Sequence, residues 1–312
     1  MAVLVTSLCP LLSSSVLNLC HAAKIRTVID FITSDPEELV QKIQLSYKDI
    51  LSIRRSLIDK FSIFPQNAES LHLELLEMLS ILDTGSKKLN NFLNGGIYSG
   101  EVTEIHGSAG SGKTQFCFSL VSKLIVEGKN SAIYLDTNNN FDGKRIEEIA
   151  LRNTNNDRAV LQNLHLIKVK NIYDIYELFE FMDFIKEEIF KKENVFFHRL
   201  KLLVIDSITP LLSPLFGGKY LDGPALMNNV AQQFKVLTSQ HMISILVCNN
   251  TVNDKDFAIK PALGHNWKYI PSISLSISKL SSGNHEMSTL KSCRNGLFPQ
   301  VLFHITKAGV TD

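Results

Sequence analysis

The sequence predicts an α/β fold: a twisted, mostly parallel sheet covered by helices on both faces, preceded by a small helical N-terminal domain. Three observations carry this. From residue 101 onward, short apolar runs alternate with amphipathic stretches, the rhythm of β–α units. KLLVIDS (201–207) is apolar without alternation, as a strand buried on both faces must be. Before residue 61, apolar residues recur three and four apart and no strand pattern competes with them.

The 312 residues suit one large domain and one small one, and 45% hydrophobic with 20% charged residues favours a sizeable core over disorder. The expected division is a helical module over 1–60, a linker and short helix over 61–82, and the α/β domain over 83–312. A formal net charge of +1 argues neither for nor against a nucleic-acid partner. The five cysteines (9, 20, 117, 248 and 293) match no zinc spacing and fit free thiols in a reducing compartment. The opening MAVLVTSLCPLLSSSVLNLC lacks the basic start of a signal peptide, and Ser, Pro and Asn break its apolar run. No run approaches the roughly 18 apolar residues of a membrane span, so no membrane partner is expected.

In the first module, VLNLCHAA, DPEELVQKI and YKDILSIRRSLIDKF read as helices, with Asp35 as cap and Pro36 at the first helical position. FSIFPQNAES (61–70) interrupts the pattern as a linker, and LHLELLEMLSIL (71–82) reads as a short helix. In the second domain EVTEIHG, SAIYLD, LHLIKV (164–169), KLLVIDS and ISILVCN are strands. The helices between them include TQFCFSLVSKLIVEG, IYELFEFMDFIKEEIFKK and ALMNNVAQQFKVLTSQH. In the second of these, Ile175, Leu178, Phe179, Met182, Ile185 and Ile189 form one apolar face, read as core. The tail turns to strand-like pieces, ISLSIS, STLKSCR and VLFHITKAG.

GSAGSGKT (107–114) fits G-x-x-x-x-G-K-[ST] and lies between a strand and a helix, the context such a loop requires. Gly107, Ser108, Ala109, Gly110, Ser111 and Gly112 form the turn, whose successive N–H groups can face phosphate oxygens. Lys113 reaches the outer phosphates, and Thr114 offers a hydroxyl to Mg2+. Asp206, at the end of LLVID, completes the Mg2+ shell, and Gln115 follows the loop. The expected cofactors are ATP and Mg2+. Hydrolysis also needs a group that activates water. Asp136 ends its strand in YLDTNNNF (134–141) and is a candidate for that group, whereas Asn138 can orient water but cannot take a proton near neutral pH. Asn249 and Asn250 are placed to sense a terminal phosphate; the alternative is a strand-end turn, which asparagine favours.

TGSKKLNNFLNGGIYSGEVTEIHGSAGSGKTQ, YLDTNNNFDGKRI, LLVIDSITPLLSP, KPALGHNWKYIP and the closing KAGVTD together resemble the RecA-type recombinase ATPases of the eukaryotic branch, in particular the delta-type recombinase paralogues of homologous-recombination DNA repair. The resemblance spans nearly the whole chain and implies a RecA-like P-loop ATPase core. It implies roles for Lys113, Thr114 and Asp206 at phosphate and metal, and places Arg145 beside the adenine. At the family's catalytic glutamate the chain has Asn138, and at its phosphate-sensing glutamine it has Asn250. The implied activity is ATP binding with slow hydrolysis, in a heteromeric complex with other recombinase paralogues on single-stranded or branched DNA, in the nucleus. Two alternatives stand beside it: a filament-forming, DNA-dependent ATPase with strand-exchange activity, and a nucleotide-stabilised scaffold with no DNA contact.

The resemblance places DNA-facing loops at about 210–227, with Lys219 and Tyr220, and at about 251–264, with Lys255 and Lys260. Asp254 and Asp256 balance the charge of the second. FPQNA (64–68) stands where the family carries a Phe-x-x-Ala polymerisation anchor; its spacing from Phe64 to Ala68 is one residue too long, which argues against self-polymerisation.

Overall fold

The computed structural model describes residues 3–61, 67–216, 223–253, 259–294 and 300–312. The chain divides into two compact units, 1–74 and 75–312. The first holds the helices Ser14–Ala22, Val28–Thr33, Pro36–Ile43 and Tyr47–Phe61. Their starts are fixed by side chains. Thr27 and Asp30 form a reciprocal capping box, and Asp35 accepts the Glu37 N–H at 2.9 Å with Pro36 next to it. Phe31, Leu39, Ile50, Ile53 and Leu57 are fully buried together, each contributing roughly 1.5–3 kcal/mol to this module.

The helix expected over 71–82 is Ala68–Met78, and the chain then becomes a strand, β1 (Ile81–Leu82), paired antiparallel with β2 (Ile97–Tyr98). Ser80 explains the change. Its N–H donates to Ser99 Oγ at 2.9 Å and its carbonyl accepts the Ser99 N–H at 2.8 Å, which draws the segment into an extended pair.

The nine-stranded sheet contains β3 (Val102–His106), β4 (Ser131–Asp136), β5 (Ile167–Asn171), β6 (Leu200–Asp206) and β7 (Ser244–Asn249). After a small antiparallel pair, β8 (Thr251–Asn253) with β9 (Ile259–Pro261), it continues with β10 (Ile273–Lys279), β11 (His285–Ser292), β12 (Val301–Thr306) and β13 (Gly309–Thr311). The spatial order is β13-β12-β11-β10-β3-β7-β6-β4-β5. The run from β10 to β5 is parallel, and β11 to β13 are added antiparallel. The mostly parallel sheet is thus as the apolar runs predicted.

β6 shows why those runs lack alternation. Leu202 and Val204 face one core with the helix Lys113–Glu127, while Leu203 and Ile205 face another with Ile175–Lys191 and Gly223–His241. On the helix Ile175–Lys191, Ile175, Leu178, Phe179, Met182 and Ile185 are buried and Ile189 packs partly against them, as its stripe implied. Two strands shift from their expected positions. Leu164–Leu166 is a 3-10 turn rather than the start of β5, continuing a helix whose Asn163 amide is tied to the Ile125 carbonyl at 2.9 Å. β11 begins at His285, before the expected Ser288, because Leu280 and Asn284 close a tight hairpin.

Candidate nucleotide-binding site

The glycine loop leaves the C-terminal end of β3 and enters the helix Lys113–Glu127. Two positions need glycine for stated reasons. A Cβ on Gly107 would lie 2.3 Å from the Ile277 carbonyl oxygen, and Gly112 has φ +107°, a conformation that side chains disfavour. The helix starts without a side-chain cap, so its first N–H groups remain available to an anion. Ser111 Oγ is buried with no hydrogen-bond partner among the described residues. An uncapped helix start, an orphaned hydroxyl and a tight glycine cradle fit a phosphate chain. Ser108, Ala109 and Gly110 form the exposed rim.

Lys113 is nearly buried and folds back to donate to the Gly107 and Ser108 carbonyls at 2.7 and 3.0 Å. Burial pushes its ammonium pKa down, since no water shell supports the charge. The parallel sheet brings Asp206 beside the loop: Thr114 Oγ1 donates to Asp206 Oδ2 at 2.7 Å, across 92 residues of sequence. A hydroxyl and a carboxylate side by side, next to a phosphate cradle, suit Mg2+, which completes its shell with phosphate oxygens and water. Among the described residues no cluster of three or more His, Cys, Asp or Glu could hold a metal by itself.

Tyr134 was not singled out from the sequence. Its hydroxyl donates to the same Asp206 Oδ2 at 2.7 Å. Burial, then the neighbouring thiols and the Asp206 carboxylate, push the phenol pKa up, so it remains a donor. The available signal was a tyrosine inside a fully buried strand, whose hydroxyl needs a partner. Tyr134→Phe is expected to cost about 1.5–3 kcal/mol, the worth of a hydrogen bond to a charged group. Urea melts would read that loss, and an Mg2+ titration of nucleotide binding would show a raised metal requirement.

Asn138, at the position where the resemblance expects a water-activating group, is exposed and its Nδ2 lies 3.4 Å from Ser207 Oγ, next to Asp206. Asp136 does not offer a free carboxylate in its place. It is buried, and its two oxygens accept the N–H groups of Asn138 at 3.0 Å and Phe141 at 2.7 Å. Asn249 is likewise committed: its amide donates to Glu104 Oε1 at 2.7 Å and accepts from Thr209 Oγ1 at 2.8 Å. Buried Glu104 also accepts from Trp267 Nε1 and Ser274 Oγ, both at 2.6 Å. The expected phosphate-sensing reading therefore fails for Asn249, because this network occupies its amide. Asn250 is exposed, and its backbone N–H donates to Thr209 Oγ1 at 2.9 Å.

The family model for Rad51 matches residues 76–312. The chain belongs to the Rad51 family. A second family model, the RAD51D N-terminal domain, matches residues 1–59. The chain is similar to the DNA repair protein RAD51 homolog 4 of Bos taurus, 35% identical over 286 residues, 91% of this chain and 88% of the relative. The same-named protein of Mus musculus is 34% identical over 87% of this chain and 83% of its own. A probable RAD51 homolog 4 of Dictyostelium discoideum is 31% identical over 80% of this chain and 81% of its own.

In this Rad51-family chain Arg145 gathers the rim of the site. It donates to Gln115 Oε1 at 3.0 Å, Glu148 Oε2 at 2.7 Å, the Lys307 carbonyl at 2.9 Å and the Thr306 carbonyl at 2.5 Å. Gln115 and Arg145 therefore act as one unit joining the loop helix to the turn between β12 and β13. Lys219, Tyr220, Asp254, Lys255, Asp256 and Phe64 lie outside the described residues. Lys260 sits on β9 opposite Val252, and Ala68 is exposed at a helix start. Among the described residues no helix is long and apolar enough to cross a membrane.

Proposed function

We propose that the protein binds Mg·ATP, hydrolyses it slowly, and uses the bound nucleotide to assemble with other recombinase paralogues on single-stranded or branched DNA in homologous-recombination repair in the nucleus. The observation that carries this is the contrast within one site. The parts that hold nucleotide and metal converge: Lys113, Thr114 and Asp206 around a glycine cradle. The position that would activate water carries Asn138, and neighbouring Asp136 has both oxygens occupied by backbone N–H groups.

Lys113 would turn from its own loop carbonyls to the outer phosphates, exchanging two neutral acceptors for charged ones. Thr114 and Asp206 would hold the metal, with Tyr134 fixing the carboxylate. The bound ion would neutralise charge on the phosphate oxygens. Asn138 can position a water by hydrogen bonding but leaves it protonated, so turnover is slow. The names of the relatives support a role in DNA repair. The test is co-assembly of the purified chain with candidate paralogues and a single-stranded oligonucleotide, followed by size-exclusion chromatography with and without Mg·ATP. Complex formation should depend on nucleotide and weaken in Lys113→Ala; equal assembly under all conditions would sink the nucleotide-gated reading.

A further inference from the structure

A second concave feature lies at the other end of β3. The glycine loop leaves from His106, whereas Val102, at the strand's start, floors a groove of about 430 Å3. Phe234 and Ile270 complete an apolar floor. One wall is the helix Gly223–His241, which presents Asn228 and Lys235, seven residues apart and therefore on one face. The other wall is the segment around 266–272, which presents Asn266.

This second wall is held in place. The Lys291 ammonium donates to the Lys268 and Pro271 carbonyls at 3.1 and 2.6 Å, and the Ser272 N–H donates to the Val102 carbonyl at 2.8 Å. By contrast, the side chains of Asn228, Lys235 and Asn266 make no hydrogen bond or ion pair among the described residues. The groove therefore combines a fixed frame with three uncommitted polar groups.

The two walls carry one sign of charge: acidic residues number 31 in 312, about one in ten, yet 223–241 and 264–272 contain none and hold Lys235 and Lys268. Asp254 and Asp256 fall between these two stretches of sequence, outside the described residues. Glu101, the sequence neighbour of Val102, does not offset this, since it is paired with Arg294 at 3.2 Å. A carboxylate is the complement of an unpaired ammonium in such a field. Carboxamides both donate and accept, which matches the alternating groups of a peptide backbone. A phosphodiester backbone offers acceptors alone. Val102 and Ile270 give the floor an aliphatic part that suits a branched side chain, while the exposed Tyr269 beside it is already packed edge-on against His265 at 5.1 Å.

We propose that this groove docks an extended acidic segment of a partner polypeptide, which sets an aliphatic side chain over Val102, Phe234 and Ile270 and a carboxylate on Lys235. It would act independently of the nucleotide site, because the two lie at opposite ends of β3.

The test uses the full chain and fluorescence anisotropy with a labelled Gly/Ser peptide carrying one Leu flanked by Glu residues. The same peptide with Lys for Glu and an oligo-dT strand serve as comparisons. The acidic peptide should bind saturably, with a Kd on the order of 100 µM, and weaken with salt. Lys235→Glu should weaken it about tenfold, and Ala231→Trp, at a residue that lines the groove between Asn228 and Lys235 on the helix, should fill it and abolish binding. Lys113→Ala should leave it unchanged. If Ala231→Trp fails to fold, the surface change Lys235→Glu carries the test alone. The proposal is overturned by no saturable binding up to about 1 mM, by equal binding of the lysine peptide, or by binding that Lys235→Glu leaves intact. Oligo-dT binding that weakens in Lys235→Glu while peptide binding does not would assign the groove to nucleic acid instead.

Discussion

Lys113→Ala is expected to weaken Mg·ATP binding by roughly 2–5 kcal/mol, the cost of removing one partner of a buried, charged hydrogen bond. That corresponds to a Kd at least about 30-fold higher. The fold should survive, because the ammonium's present partners are two carbonyls of the glycine loop, one buried and one at its rim, and neither is part of the apolar core. In the wild type, nucleotide at about 100 times its Kd stabilises the folded chain by about 2.7 kcal/mol and raises Tm by roughly 5–10 °C. The variant should lose this shift while keeping its nucleotide-free Tm. Isothermal titration and thermal melts, run side by side, check both parts. A variant that retains wild-type affinity would remove Lys113 from the site.

The second large effect is a gain. Asn138→Glu is expected to raise the hydrolysis rate on the order of 10²-fold, the lower range for a positioned general base. The change is sterically modest, because Asn138 is exposed and, among the described residues, its side-chain amide makes only the 3.4 Å contact to Ser207. ATP affinity should change little, since the phosphate and metal residues are untouched. Single-turnover hydrolysis with excess protein separates the chemical step from product release. No acceleration, with intact ATP binding, would mean that turnover is limited by something other than an absent base.

Much of this site is legible in the primary sequence because its parts are local. The glycine loop is one contiguous motif, and Asp206 is announced by an apolar strand ending in an acid. What the sequence hides is how partners are shared across the sheet. Asp136 looked like a spare carboxylate, yet the turn it caps takes both oxygens. Strand-end position alone made Asn249 and Asn250 alike, and only the resemblance favoured Asn250; in the structure the former lies inside with Glu104 and Trp267 and the latter outside. Tyr134 reads as one more apolar strand residue until β6 places Asp206 against it. The fold was legible for the same reason as the loop, since apolar runs and helix stripes are periodic. It failed where a single contact overrides periodicity, as when Ser80 and Ser99 turn an expected helix end into β1.

The proposed function separates binding from turnover: Lys113, Thr114, Tyr134 and Asp206 would hold nucleotide and metal, while Asn138 would leave water without a base. The most direct measurement sets equilibrium binding of Mg·ATP to the wild-type chain beside its single-turnover hydrolysis under the same conditions. The account predicts saturable, Mg2+-dependent binding with hydrolysis far slower than a typical enzyme turnover of about 10 s⁻¹. Hydrolysis near that rate, lost in Lys113→Ala, would contradict it.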